Sequence, residues 1–283
     1  MIREPVFSGK FYPSNVRQLL NIIEDSFVTQ NDLGEIPNLS RSKLKKHEIK
    51  GIMVPHAGYI YSAKVAAHAY YNLVKDGFPE TFILIGPNHT GIGEHLSIYP
   101  KGKWLTPLGK VNIDEEFADN LIQNSKFGSS DYTAHLNEHS IEVQLPILQY
   151  FSQDFEIVPI CMGIQDKNTV NDLVESIINV KNNLKRDICI IASTDLSHFN
   201  SEEIANREDN LLLDSISQMN SVSLFENVKK NNISMCGYGP VMAVIEYCKN
   251  IGEGYCEVLK YATSGSVSGD FRNVVGYGSA LFK

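Results

Sequence analysis

Three short apolar runs, each followed by a turn that contains a histidine, constrain the fold of this chain most strongly. They are residues 52–54 with His56, residues 82–85 with His89, and residues 188–192 with His198. Apolar runs of this length, bounded by turn residues, are typical of buried strands. In an open α/β sheet, ligands bind at the carboxyl ends of the strands. We therefore expect the histidines to converge on one site with a metal at its centre.

Strands and helices alternate along the sequence, which predicts an α/β fold. A strand over residues 49–54, a helix over residues 62–76 and a strand over residues 81–85 form a βαβ unit. Such a unit predicts parallel, neighbouring strands with a right-handed crossover, so that His56 and His89 lie at the same edge of the sheet. The apolar strands further predict a mixed, mainly parallel sheet that helices cover on both faces.

Local signals predict the remaining elements. Asn15 is placed to cap the first helix, and Pro146 predicts either a kink in the helix over residues 140–151 or a later start. Further helices are predicted over residues 114–124, 168–184, 201–219, 222–230 and 240–249, and further strands over residues 156–161, 187–192, 257–262 and 274–281. No Pro/Ser-rich linker, charge block or composition shift divides the 283 residues, so we expect one α/β domain over residues 1–283.

The charge balance argues against a nucleic-acid or an anionic membrane partner, because the net charge is −8 and the pI is about 5.5. We interpret the one basic run, residues 41–46, as a solvated loop. No apolar run approaches the ~20 residues that span a bilayer, and the N-terminus has no apolar signal core. We therefore expect a soluble, cytoplasmic protein, whose five widely spaced cysteines are reduced thiols.

The candidate metal ligands are His56, His89 and Cys236. A neutral imidazole nitrogen suits iron, copper or zinc. Cys236 lies at a Gly-rich turn that leads into a helix; a helix N-terminus lowers the pKa of a thiol, and the thiolate is the form that binds metal. Each residue also has a plainer interpretation: a hydrogen-bonding loop histidine, or a cysteine buried as a small apolar residue.

Two further groups of polar residues are candidates for the same site. His198 could act as a general acid/base, and Asp195 could orient it, support a metal ligand or bind the metal directly. Glu138 and His139 open a predicted helix, and we interpret them as second-tier residues in the wall of the pocket. The plainer interpretation of Asp195 and of Glu138 is helix capping or a favourable acid in a first turn.

Five motifs characterise the chain when they are taken together and in order. They are Val54-Pro55-His56-Ala57-Gly58-Tyr59, Gly86-Pro87-Asn88-His89, Glu138-His139-Ser140-Ile141-Glu142, Ser193-Thr194-Asp195-Leu196-Ser197-His198 and Cys236-Gly237. In identity and order they resemble the MEMO family, whose microbial members are called the B component of the AmmeMemoRadiSam system. The resemblance covers nearly the whole chain.

The resemblance implies the fold of the class III extradiol dioxygenases, which hold non-haem iron with two histidines and one carboxylate. It puts His56 and His89 at the histidine positions, Cys236 at the carboxylate position, and His198 at the acid/base position with Asp195 as its neighbour. A thiolate is softer than a carboxylate, so it favours copper, zinc or thiolate-ligated iron. Because a thiolate is also oxidisable, it argues against ring cleavage with activated oxygen.

The first functional hypothesis is a metal-dependent oxidoreductase that uses iron or copper to act on a small molecule. One alternative is a non-catalytic module that binds a peptide or a protein on a vestigial dioxygenase scaffold. Another is a zinc-dependent hydrolase, in which zinc activates a water. The resemblance also implies partner proteins from a radical-SAM system. The chain contains neither the G-x-S-x-G motif of hydrolases nor a P-loop, so serine hydrolases and P-loop nucleotide-binding proteins are disfavoured.

Overall fold

A computed structural model describes residues 1–28, 33–40, 47–252 and 254–283. The basic run of residues 41–46, interpreted above as a solvated loop, lies outside the described residues. The strands are β1 (Ile2–Arg3), β2 (Gly51–Val54), β3 (Thr81–Pro87), β4 (Leu96–Ile98), β5 (Lys103–Thr106), β6 (Gly109–Ile113), β7 (Gly128–Ser130), β8 (Glu156–Met162), β9 (Ile188–Ser193), β10 (His198–Asn200), β11 (Cys256–Thr263) and β12 (Val274–Phe282). The helices are α1 (Val16–Val28), α2 (Tyr59–Asp76), α3 (Glu115–Asn124), α4 (Thr133–Leu136), α5 (Leu145–Phe151), α6 (Lys167–Leu184), α7 (Glu202–Ser217), α8 (Ser221–Asn231), α9 (Tyr238–Ile251) and α10 (Gly265–Ser268), with a 3₁₀ helix at Glu142–Gln144.

One large mixed sheet organises these elements. Its strand order is β1-β5-β6-β8-β3-β9-β2-β12-β10, while β11 pairs with β12 and β4 pairs with β7 and β8. The central strands β6, β8, β3, β9 and β2 run parallel, and β12 joins β2 antiparallel. The predicted α/β class and mixed sheet are confirmed.

The prediction that β2 and β3 are neighbours is wrong. Strand β9 lies between them, and Ile191 of β9 pairs with both Ile52 and Leu84. A crossover connection fixes the direction of the second strand but not how many positions it skips, and here a strand more than a hundred residues later fills the gap. Because β2 and β3 remain parallel, His56 and His89 still follow the same edge of the sheet, now with the end of β9 between them.

The starts of α1 and α5 agree with predictions from local sequence signals. The Asn15 side chain accepts a hydrogen bond from the backbone amide of Gln18 (3.1 Å), as predicted for a cap. Of the two predictions for Pro146, the later start is confirmed. A 3₁₀ turn comes first, and α5 then begins with Pro146 in its first turn, where the missing N–H is not needed.

Helix α2 begins three residues earlier than predicted. The amide of Tyr59 donates to the carbonyl of Phe11 (2.8 Å), so a distant chain segment satisfies a first-turn donor of this helix. Ser62, predicted to open the helix, instead donates its hydroxyl to the carbonyl of Ala57 (2.8 Å) from within the first turn. The predicted end is correct, since Gly77 follows Asp76 in the left-handed region (φ 108°).

Two groups of helices pack against the sheet. Helix α2 packs on α1 and α5 and on strands β2, β11 and β12, whereas α9 packs on α6 and α8 and on strands β2, β3 and β9. The approach of α9 is close, because a Cβ atom on Gly51 of β2 would lie 2.6 Å from Val244.

In the described part of the chain, no helix combines the length and the apolar character needed to cross a membrane.

Candidate metal centre

Three histidines meet at the carboxyl edge of the sheet. Within the described ranges, one ring nitrogen each of His56, His89 and His139 forms a group whose members all lie within 4.8 Å of one another. The rings of His89 and His139 stack at 4.6 Å, and the His56 ring stands nearly perpendicular to both, at 5.2 Å. Three imidazoles therefore offer nitrogen donors to one small volume.

The fold brings these histidines from three places. His56 follows β2 directly after Pro55, and His89 follows β3. His139 comes from the turn that precedes the 3₁₀ helix. The sequence predicted His56 and His89 as ligands with Cys236 as the third, and it placed His139 only in the wall of the pocket; the structure makes His139 a full member of the cluster.

The hydrogen bonds of His56 determine its tautomer. The side chain is buried, and Nδ1 lies 2.9 Å from the hydroxyl of Ser193. That hydroxyl donates its only proton to the backbone carbonyl of Ser140 (2.6 Å) and accepts a hydrogen bond from the side-chain amide of Gln144 (2.9 Å). Nδ1 must therefore carry the proton, and Nε2 carries a lone pair. Burial lowers the pKa of His56 well below its ordinary value, so the ring is neutral.

Glu138 orients His89. Its carboxylate accepts hydrogen bonds from Nδ1 (2.9 Å) and from the amide (2.7 Å) of His89, and from the amide of Ser140 (2.9 Å). Burial alone would raise the pKa of Glu138, but the hydrogen bonds from His89 and from the amide of Ser140 lower it to about 2. An ionised carboxylate that holds one ring nitrogen of a histidine is a common support for a metal ligand, because it leaves the other nitrogen free to bind.

His139 is held mainly by packing. Its ring lies against those of Phe7 and Phe11, with centroid distances of 5.4 and 4.5 Å. Its Nδ1 lies 3.4 Å from Oε1 of Glu138, which is longer than the bond of the same oxygen to His89. Burial, with a smaller effect of His56, lowers the pKa of His139 to about 3. This imidazole is therefore also neutral at physiological pH.

Cys236 lies beside the cluster. Its Sγ atom is 3.2 Å from Nε2 of His56 and accepts a hydrogen bond from the amide of Asp195 (3.2 Å). The predicted lowering of the Cys236 pKa by the start of α9 is wrong: burial raises the pKa of this thiol, and Asp195 adds to the effect. The reason is that a buried thiolate loses more solvation than the helix terminus restores. Cys236 is thus a thiol until a cation displaces its proton.

Asp195 and His198 lie on one turn but have different partners. Oδ1 of Asp195 accepts a hydrogen bond from the backbone amide of His56 (2.8 Å), and Oδ2 of Asp195 lies 4.0 Å from Nε2 of His56. His198 donates Nδ1 to the carbonyl of Ser234 (2.9 Å), and its amide donates to the Ser234 hydroxyl (2.7 Å). Burial raises the pKa of Asp195. The turn leads into β10, so helix capping does not explain Asp195.

The donor set fits a first-row transition metal. Two nitrogens that each lie about 2.1 Å from a metal can be at most about 4.2 Å apart. The three histidine nitrogens lie within 4.8 Å of one another, so a bound ion would draw them closer together. Neutral imidazoles with an adjacent thiol suit iron, copper or zinc, whereas calcium and magnesium require oxygen ligands. A divalent ion would also balance the charges of Glu138 and of a Cys236 thiolate.

Sequence reasoning kept Glu138 as a second-tier pocket residue, but it did not identify the full set of residues that support the cluster. They come largely from one segment, residues 138–144, in which alternate positions are buried and polar: Glu138, Ser140, Glu142 and Gln144. Buried polar side chains require partners, and those of this segment reach His89 directly and His56 through Ser193. The signal was visible as the alternating polar pattern, but a helix N-terminus explained the same pattern without a site.

Comparisons with known proteins find relatives that match the whole length of the chain. A family model described as "Memo-like protein" matches residues 3–281. A MEMO1 family protein of Methanobrevibacter smithii is 49% identical over 283 residues, which cover 100% of both chains. MEMO1 family proteins of Sulfolobus acidocaldarius and Methanopyrus kandleri are 44% and 42% identical, over 100% of this chain and 99% of each relative.

Proposed function

The chain belongs to the Memo-like protein family, and we propose that it is a metal-dependent oxidoreductase that acts on a small molecule. The observation that carries the proposal is the group of three imidazole nitrogens within 4.8 Å of one another. Two of these rings have Nδ1 engaged by a supporting side chain, Ser193 for His56 and Glu138 for His89. A histidine fixed in this way presents its Nε2 lone pair for binding.

We assign the residues as follows. His56, His89 and His139 hold the metal, and Cys236 is placed to add a thiolate. Bound iron or copper would supply one-electron redox chemistry, including reaction with O₂. Because Nδ1 of His198 donates to Ser234, Nε2 of His198 can accept a proton from a substrate.

The surrounding scaffold supports the same assignment. Histidines follow two parallel strands at one edge of a mixed sheet, which is where an α/β sheet binds ligands. We propose that the fold is of the class III extradiol dioxygenase type, with helices on both faces of the sheet. The separate helix groups around α2 and α9, which share strand β2, support this proposal.

Metal content and absorption spectra of protein purified without oxygen test the proposal. We expect near-stoichiometric iron or copper after reconstitution, and a thiolate charge-transfer band that Cys236→Ser abolishes. His56→Ala should lose the metal. His95→Ala serves as the control, because His95 is an exposed histidine that stacks on Phe127. Absence of bound metal after anaerobic reconstitution would overturn the proposal, and zinc alone would turn it towards a hydrolase.

A second candidate is a peptide- or protein-binding module, and Phe199 favours it. This side chain is 73% exposed, lies next to His198 and has a φ of 62°, which is rare for an aromatic residue. An apolar ring held in solvent beside the site could contact a bound partner. A peptide that still binds after metal removal, but not to Phe199→Ala, would support this candidate.

A further inference from the structure

The N-terminal segment, residues 1–13, is fastened to the candidate metal centre through the buried carboxylate of Glu142. Arg3 donates Nη1 to Oε2 of Glu142 (2.6 Å), and both side chains are almost completely buried. The hydroxyl of Tyr12 (2.6 Å) and the amide of Phe7 (2.9 Å) both donate to Oε1. Three donors from one segment therefore converge on a single acid, which lies 130 or more residues away from each of them in the sequence.

Arg3 also bridges the turn that carries His139. Its Nε donates to the carbonyl of His135 (2.7 Å), and its Nη2 donates to the carbonyl of Glu138 (2.8 Å). The guanidinium lies over the ring of Trp104, 4.2 Å from the centroid. One side chain thus holds the backbone that leads into His139 and, through the carboxylate of Glu142, a residue that follows it.

The same N-terminal segment supplies the surface against which the His139 ring packs. Phe7 and Phe11 contact that ring, and the carbonyl of Phe11 accepts the amide of Tyr59, three residues after His56. The carboxylate of Glu138 lies 3.4 Å from the His139 ring and is already bonded to His89. The position of the third imidazole therefore depends on how the N-terminal segment is seated.

We propose that Glu142 and Arg3 are positioning residues for His139, and that their ion pair sets the metal affinity of the centre without either residue touching the metal. The proposal rests on the proposed metal site. Supporting residues one step removed from a metal commonly change its affinity by 10- to 100-fold. The Arg3–Glu142 pair acts on one of three imidazoles, so we expect Glu142→Gln to weaken Co²⁺ binding by about tenfold.

The test titrates Co²⁺ into the full chain of the wild type, Glu142→Gln and His139→Ala, and records the ligand-field spectrum of each. If the proposal holds, Glu142→Gln weakens binding by about tenfold, and its spectrum shifts towards that of His139→Ala. A merely structural role for Glu142 would reduce thermal stability without moving the spectrum. A wild type that binds no Co²⁺ refutes the metal site itself, whereas an unchanged Glu142→Gln affinity and spectrum refute the positioning role alone.

A matched control uses a second acid–arginine pair, in which the acid is buried and the arginine is partly exposed. Asp114 is buried and paired with Arg186 (3.1 Å), and it bonds to Thr81 at the opposite end of β3 from His89. Asp114→Asn should lower stability and leave the Co²⁺ affinity and spectrum unchanged. If Glu142→Gln does not fold, Tyr12→Phe removes one of the three donors and should weaken Co²⁺ binding by about threefold; no change in that folded variant would overturn the proposal.

Discussion

Replacement of Glu138 with glutamine is expected to weaken both the fold and the candidate metal site. The carboxylate is 1% exposed and accepts three hydrogen bonds, two of them from His89. Its pKa falls from an ordinary 4.5 to about 2 in the folded protein. Because one pKa unit corresponds to about 1.4 kcal/mol, we expect Glu138→Gln to lose about 3 kcal/mol of unfolding free energy at pH 7.

The pH dependence of this loss provides the assay. A carboxylate whose pKa is lowered by folding stabilises the protein above its unfolded pKa, and this contribution disappears as the pH falls through the folded pKa. The difference between the wild type and Glu138→Gln should therefore be complete above pH 4.5 and should decline towards pH 2. Urea unfolding at a series of pH values measures it.

The metal site offers a second readout of the same variant. Glutamine cannot hold His89 Nδ1 as a carboxylate does, so metal affinity should fall 10- to 100-fold. Asp270→Asn is the control, since Asp270 pairs with Arg272 on the surface and its pKa is also lowered to about 2. Equal stability of Glu138→Gln and the wild type at pH 7, or a difference that persists unchanged to pH 2, would refute the reasoning.

Three further predictions concern the supports of His56 and the state of Cys236. Ser193→Ala removes the acceptor of His56 Nδ1 and should weaken metal binding about tenfold in a competition titration; unchanged binding would contradict the assigned tautomer. Because burial raises the pKa of Cys236, metal binding must release the thiol proton. Affinity should therefore rise about tenfold per pH unit, wherever the thiol is protonated in the metal-free protein, in the wild type and not in Cys236→Ser. A Cβ on Gly237 would lie 2.6 Å from the carbonyl of Ser193, so Gly237→Ala should displace Cys236 and abolish the thiolate band, while an intact band would show that the turn can adapt.

The local elements of the fold could largely be predicted from the sequence. The apolar runs define β3, β8 and β9 to within two residues, because a buried strand needs apolar residues on both faces. Asn15 and Gly77 mark helix ends because capping depends on neighbouring residues alone. The start of α2 was misplaced because its capping partner, Phe11, is far away in the sequence.

The order of the strands could not be predicted in this way. Strand β9 pairs with both β2 and β3. The sequence does not reveal these partners, because several strands have similar apolar patterns. A βαβ unit determines direction and handedness, whereas the neighbour is selected by the packing of the complete sheet. The prediction that His56 and His89 lie at one edge did not depend on the strand order, because the parallel direction of the strands alone brings their carboxyl ends to the same edge.

The sequence by itself determined which chemistry is available: histidines after parallel strands, a cysteine at a helix start and acids nearby. The tertiary structure decided how these groups are arranged and charged. It added His139 to His56 and His89, made Cys236 a thiol with a raised pKa, and connected Arg3 to Glu142. The physical reason is that solvation, tautomer and ion pairing depend on which atoms surround a group, and those atoms come from segments far apart in the sequence.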